Sequence, residues 1–346
     1  MRAVLFDAYG RLPAVTEVAD PAPGREGAVI RVEATGLCRS DWHGWAGHDL
    51  DIALPHVPGH EFAGVVEAVG EGVTGWKPGD RVTAPFVCAC GRCALCAAGE
   101  QQVCEFQTQP GFTHWGSFAE YVRVDAADTN LVAVPADLDF TAAAGLGCRF
   151  ATAYRAVVAR GAVRPGEWVA VHGCGGVGLS AVMIAVAGGA RVVAVDVSPV
   201  ALALAERFGA EVCVDAADGD AAEAVRAATG GGAQVSLDAL GSAGTCASSL
   251  LSLRRRGRHV QVGLLPSAAG DPVLPMERVI AYELDVLGGH GMAAHAYPEM
   301  MALVASGRLR PQDLVTSTIG LDEAPAALAG MGSRPGAGVT VITPNS

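Results

Sequence analysis

Cys90-x-x-Cys93-x-x-Cys96-x7-Cys104 is the most specific chemical pattern in this sequence. Two-residue spacers let several thiolates turn toward one point, and four thiolates close a tetrahedral zinc ion off from water. Such a site braces a loop with little apolar material of its own, Ala97-Ala98-Gly99-Glu100-Gln101-Gln102. Its binding energy goes into folding rather than catalysis. Disulfides are the rival reading of so dense a cluster. Cys88 is a fifth candidate, and spacing alone does not exclude a frame shifted to include it.

A second pattern is built for phosphate. Gly173-Cys174-Gly175-Gly176-Val177-Gly178 follows an expected strand and opens an expected helix. The first glycine permits a tight turn, the next lets backbone N–H groups approach a pyrophosphate, and the last allows close helix–strand packing. The next strand ends in Asp196, placed to take the hydroxyls of a ribose. Val197-Ser198-Pro199 follows with no Arg or Lys to meet a 2′-phosphate, so NAD is favoured over NADP. A structural glycine turn with a helix-capping Asp is the alternative. The remaining candidates are single residues in Gly36-Leu37-Cys38-Arg39-Ser40-Asp41-Trp42-His43, Gly59-His60-Glu61-Phe62-Ala63-Gly64 and Gly145-Leu146-Gly147-Cys148. Neither composition nor spacing selects a ligand set among ten Cys and nine His.

The elements that must position these groups fall into two textures. Residues 1–150 carry short apolar runs (Ala3–Phe6, Val29–Ala34, Phe62–Val69, Arg81–Ala84, Phe118–Val124) separated by turn signals such as Pro78-Gly79-Asp80. That is how an irregular, mostly β domain reads. From Trp168 onward, strands alternate with helices, as in Trp168–His172, Val177–Ala187, Arg191–Asp196 and Pro199–Phe208. This alternation implies an α/β unit with a parallel, doubly wound sheet. After Gly291 come one amphipathic helix, Tyr297–Ser306, a polar loop and a β-like tail, Val339–Ile342, expected to pack back onto the first domain. Arg254-Arg255-Arg256-Gly257-Arg258 reads as a helix end, a glycine stop and the next strand.

Composition sets the outer bounds. At 346 residues the chain is long enough for about two domains of ~150 residues. With 51% hydrophobic and 17% charged residues it is not a disordered chain. No apolar run approaches the ~18 residues of a membrane span. The start reaches an acid at Asp7, too soon for a signal-peptide core, so a cytoplasmic protein is expected. A net charge of −12 argues against nucleic acid as a partner.

Taken together, the chain resembles the zinc-dependent alcohol dehydrogenases of the medium-chain dehydrogenase/reductase family over essentially its full length. Gly59-His60-Glu61-x-x-Gly64 with Gly70, the four-cysteine lobe and the Gly173–Gly178 loop carry the resemblance, with Cys38 and Cys148 at ligand positions. It implies a GroES-like, partly β catalytic domain (1–150, with 289–346) and a Rossmann coenzyme domain (151–288). It also implies a catalytic zinc on Cys38, His60 and Cys148, and a structural zinc on Cys90, Cys93, Cys96 and Cys104. Glu61 would be an acid able to approach the catalytic metal, Ser40 and His43 the proton-relay positions, and Arg39 a coenzyme pyrophosphate contact. Gly173, Gly175, Gly176, Val177, Gly178 and Asp196 would bind NAD.

The expected chemistry is hydride transfer from a zinc-bound alkoxide to NAD. The alcohol proton would leave through Ser40, the nicotinamide ribose and His43. Asp41 is placed to accept the second nitrogen's hydrogen from His60. The expected partners are a small alcohol, aldehyde or ketone and further copies of the chain, as a homodimer or homotetramer. A polyol or sugar dehydrogenase on the same scaffold is the runner-up, although that branch typically has Glu at the third ligand position, where this chain has Cys148. A non-catalytic NAD- or zinc-binding sensor is the alternative from another class. Trp42, Trp45 and Phe86 could narrow a substrate pocket or serve as packing. His290 and the segment Gly336-Ala337-Gly338-Val339-Thr340, which lacks a basic residue, depart from the family pattern.

Overall fold

The structure is a computed structural model describing residues 1–49, 52–265, 272–332 and 337–345, so Gly336 lies outside the described residues. The chain divides into two compact units, Met1–Ala151 with Gly291–Ser346, and Thr152–His290.

The first unit is organised around the ten-residue strand Ala28–Leu37. It pairs antiparallel with Phe62–Val69, Tyr121–Val124 and Val339–Thr343. Arg81–Thr83 and Val132–Ala133 extend the sheet on one side, and Val315–Gly320 closes it on the other. Alternating positions Ala28, Ile30 and Val32 point into a core with Phe62, Val66, Val82, Val122 and Val124. At the strand's far end Leu37 joins a second cluster with Val4, Val57, Phe118, Leu321, Leu328 and Ile342. Val315–Gly320 is a strand where the sequence reads as polar loop. Its middle residues, Thr316-Ser317-Thr318, are exposed, so there is no apolar alternation to detect.

The second unit holds a six-stranded parallel sheet in the order Val212–Asp215, Arg191–Asp196, Trp168–His172, Ala233–Asp238, Leu253–Gln261, Asp285–Gly288. In chain order this is three-two-one-four-five-six, the doubly wound arrangement that leaves a crevice at the carboxyl ends of the first strands. Trp168–His172 is buried at every position, as a central parallel strand must be. The basic run differs from expectation: the preceding helix ends at Leu251, and Arg254–Gly257 lie inside the strand Leu253–Gln261. Ala233 pairs with Leu253 and Val235 with Arg258, so the extra residues bulge out of the ladder. Arg256 takes a left-handed conformation there, φ 63°, and reaches Glu283 across the surface. A bulge of this kind leaves no periodic trace in the sequence. Among the described residues no helix is long and apolar enough to cross a membrane.

Candidate catalytic and metal sites

Sheet register brings the first two donors together. Thr35 pairs with Phe62, and the Gly36 N–H donates to the Glu61 carbonyl at 2.7 Å. Cys38, just beyond one strand, and His60, just before its neighbour, therefore emerge side by side. Cys148 arrives from the turn between the helices Phe140–Ala144 and Arg149–Arg155. One donor atom from each lies within 4.8 Å of the other two. Cys38 and His60 are buried and Cys148 is half-buried.

Asp41 locks this arrangement. It is 1% exposed, and its carboxylate accepts from the Cys38 N–H (2.9 Å), the Gly59 N–H (3.1 Å) and His60 Nδ1 (2.7 Å). With Nδ1–H bound to Asp41, the lone pair of His60 is on Nε2, and that atom is buried without a hydrogen-bond partner. A buried, unpaired imidazole nitrogen beside two thiols is costly unless something occupies the space between them. Two thiolates and a neutral imidazole fit a zinc ion with its fourth position open. The Cys148 hydrogen bond, with His60 and Arg149 nearby, holds the Cys38 thiol well below the usual range despite its burial. Sharing that proton pushes Cys148 up. Burial alone would depress His60, but Asp41 and Cys38 together raise it well above an ordinary imidazole, so a metal arriving at Nε2 has to displace a proton and leave the ring neutral.

Glu61, expected as a nearby acid able to approach the metal, is paired with Arg149. Its carboxylate accepts from the Arg149 backbone N–H at 2.6 Å, from Arg149 Nε at 2.7 Å and from Arg149 Nη2. Arg149 Nη1 also donates to the Leu37 carbonyl at 3.0 Å. Both side chains are buried, and removing one partner of such a pair costs ~3–5 kcal/mol. Sequence reasoning missed Arg149; its position directly after Cys148 was the available signal.

The helix Arg39–Trp45 starts at Cys38 and carries Ser40 and His43 one turn apart. Ser40 and His43 are half-buried. His43 Nδ1 lies 2.9 Å from Nδ1 of His48, a partner the sequence reading did not pick out. Burial first, then Arg39 and His48, hold His43 down to about 4. Arg39 is exposed, lies over the Trp42 ring at 4.2 Å and donates to the Met331 carbonyl at 2.5 Å. Trp42 and Trp45 are half-buried and pack against the cluster around Leu37 and Phe118. Phe86 and Phe112 are the aromatics at the donor set, 6.1 and 5.1 Å from the His60 ring. A cavity of about 480 Å³ in the same unit is lined by His56, Phe112, His114 and Trp115, but by none of the three donors.

In the cysteine lobe all four sulfurs converge, and all ten cysteines of the chain are free. Cys93 and Cys96 Sγ are 3.4 Å apart, Cys93 and Cys104 3.7 Å, and Cys90 and Cys96 3.9 Å. Thiolates ~2.3 Å from one tetrahedral ion stand ~3.8 Å from each other, so the spacing fits zinc. The N–H groups of Cys90 and Phe106 donate to the Cys104 sulfur, each at 3.4 Å. Backbone N–H groups of Arg92 and Cys93 hold the Cys90 thiol near 6. Cys88 stays outside: its Sγ points to the Pro85 carbonyl at 3.7 Å and it packs in the sheet core.

In the second unit, Gly173-Cys174-Gly175 links the strand Trp168–His172 to the helix Gly176–Ala187, capped at Gly175. A Cβ on Gly178 would stand 1.8 Å from the Gly173 carbonyl oxygen, so only glycine permits this packing. A Cβ on Gly175 would meet nothing within 4 Å, leaving open space at the helix N-terminus, where an anion is favoured. Val177 lies in the helix's first turn. Asp196 accepts from the Cys174 N–H at 2.6 Å and the Ser198 N–H at 2.9 Å, which ties the end of the second strand to the loop. His290 is half-buried just past the edge strand Asp285–Gly288.

Known proteins resemble the chain in sequence and in fold. Residues 24–136 match the alcohol dehydrogenase GroES-like domain, and residues 176–306 the zinc-binding dehydrogenase family. An alcohol dehydrogenase of Geobacillus stearothermophilus is 38% identical over 79% of this chain and 80% of its own. A sorbitol dehydrogenase of Halalkalibacterium halodurans is 32% identical over 90% of each chain. A solved NAD-dependent alcohol dehydrogenase superimposes with a TM-score of 0.90 at 32% identity, covering 100% of both chains. The two units are thus a GroES-like and a Rossmann domain, and the chain belongs to the zinc-dependent alcohol dehydrogenases of the medium-chain dehydrogenase/reductase family.

Proposed function

We propose that the chain interconverts an alcohol and its aldehyde or ketone with NAD, using a catalytic zinc on Cys38, His60 and Cys148 and a structural zinc on Cys90, Cys93, Cys96 and Cys104. The observation that carries this reading is the donor set itself: two thiols face an unpartnered His60 Nε2 whose ring is fixed from behind by Asp41. A bound zinc supplies the Lewis-acid charge that makes an alcohol proton easier to remove, and NAD supplies the hydride acceptor. Cys38 and Cys148 hold the metal as thiolates, and Asp41 keeps His60 in the tautomer that presents Nε2. Arg149 holds Glu61 outside the donor set.

Ser40 takes up the alcohol proton at Oγ while releasing its own, and His43 accepts a proton at its ring. The unit of residues 152–290 takes the coenzyme, with Gly173, Gly175, Gly176, Val177 and Gly178 around the pyrophosphate and Asp196 at the ribose. Arg39 adds a cation for the phosphates. The name of the solved relative, and the absence of Arg or Lys in Val197-Ser198-Pro199, support NAD over NADP. Cys148 supports an alcohol over a polyol as substrate.

The test is a panel of primary, secondary, aromatic and polyol substrates with both coenzymes, alongside zinc analysis. About two zincs per chain and NADH formed from simple alcohols are expected. One zinc with no turnover would overturn the reading in favour of a sensor, and turnover confined to polyols would overturn the substrate class.

A further inference from the structure

His48 stands where a helix-termination motif has to put it. The helix Arg39–Trp45 ends with Ala46 as its C-cap. Gly47 follows at φ 81°, a left-handed conformation that glycine adopts without strain. The Gly47 N–H donates to the Gly44 carbonyl at 3.1 Å, and the His48 N–H to the His43 carbonyl at 3.0 Å. This pair of bonds is the Schellman motif, which folds the second residue after the cap back over the residue three positions before it. An apolar pair usually occupies those two positions. Here both are histidines, and the motif sets Nδ1 of His43 2.9 Å from Nδ1 of His48. Trp42 stands edge-on to both rings, at 5.0 and 5.4 Å.

The two rings differ in their access to water. His43 is half-buried and His48 exposed. The titratable and charged groups acting on His43 are Arg39, Cys38 and His48. The helix Ala324–Gly330, packed beside the Arg39–Trp45 helix, carries no charge, and Tyr9 stands against Gly47. Burial, helped by Arg39, makes His43 a poor place for a proton to rest at neutral pH. A proton reaching that ring has to be passed on, and an imidazole does so by accepting at one nitrogen and releasing from the other.

We propose that His48 is the outer station of a two-histidine proton relay, receiving at its Nδ1 the proton that His43 releases from its own Nδ1 and delivering it to water from its second nitrogen. In alcohol oxidation one proton leaves the substrate hydroxyl and one reaches solvent; both imidazoles return to their neutral form, and the electron pair travels separately as hydride. The inference rests on the reading of His43 as a relay residue. His48 acts through His43 and touches no reacting atom.

The test uses the full-length zinc-loaded enzyme, with an alcohol that turns over and NAD, in three forms: wild type, His48→Ala and His43→Gln. His48 is exposed, so the alanine variant keeps its fold and opens room for a small base. Its kcat should fall by roughly tenfold below neutral pH, against the ~10²-fold expected for His43→Gln. KM for NAD should hold, and added imidazole should restore kcat in His48→Ala without altering wild type. If His43→Gln shifts the kcat–pH profile while His48→Ala matches wild type and ignores imidazole, the His48 station is wrong and the relay reading stands. If neither variant shifts the profile, the relay reading fails and takes this inference with it.

Discussion

The two thiolate clusters of the first unit gather their donors in opposite ways. Cys90, Cys93, Cys96 and Cys104 come from one short loop, whereas Cys38, His60 and Cys148 come from two strand ends and a helix junction. The loop has almost no core of its own beyond Ala89 and the cysteines themselves. If the four sulfurs share one ion as proposed, its shape depends on that ion, and there binding and folding are the same event. At the other site the sheet, Asp41 and the Arg149–Glu61 pair hold the donors in place on their own. A framework that positions three donors can leave a fourth direction unfilled, and a self-assembled loop cannot. On the proposed reading, chemistry belongs to the site whose donors the framework positions.

The sharpest way to break this comparison is Cys148→Ser. Altering a group that merely orients a ligand costs ~10–100-fold, so removing a donor should cost more than that in turnover. Zinc content should fall from about two to about one per chain, while circular dichroism and NADH binding stay close to wild type. Full activity in this variant would refute the ligand assignment.

Cys96→Ser should reverse the pattern. The lobe loses its ion, residues 90–104 become protease-sensitive, and stability falls. A loss of ~3 kcal/mol would lower Tm by roughly 6–12 °C for a unit of this size. Activity per folded molecule at 25 °C should stay within a few-fold of wild type. A variant that kept its Tm and lost its turnover instead would mean that the lobe, not the framework, supports the chemistry.

Legibility in the sequence follows the same division. The lobe could be read directly, because ligands two residues apart advertise themselves and local spacing is all the geometry there is. The glycine loop was readable for the same reason, since strand, turn, helix and Asp196 lie within one short stretch. Cys38, His60 and Cys148 could not be chosen from spacing, because the pairing of Thr35 with Phe62 that unites two of them is a long-range fact. Only the family resemblance named them. Arg149, His48 and Phe112 were missed because each matters through a partner distant in sequence or through a turn that only coordinates reveal. The strand Val315–Gly320 escaped because its exposed positions are Thr and Ser. The bulge at Arg254–Gly257 escaped because a ladder irregularity has no period.

The finest test falls on the boundary between packing and proposed ligation, between Cys88 and Cys90. Cys88 and Thr108 exchange backbone hydrogen bonds at 2.8 and 2.9 Å, closing the base of the loop that carries all four proposed ligands. The Cys88 side chain faces the other way, 2% exposed among Val82, Ala84 and Val122, and burial pushes its thiol up. Cys88→Ala removes one sulfur from a packed core and leaves the backbone bridge intact. Stability should drop by about 1 kcal/mol, as for loss of a single buried methyl-sized group. Zinc content should remain at about two per chain and turnover unchanged. Loss of one zinc equivalent would place Cys88 in the ligand frame and move the boundary. Two zincs retained would mean that a cysteine two residues from a ligand takes part only through its backbone.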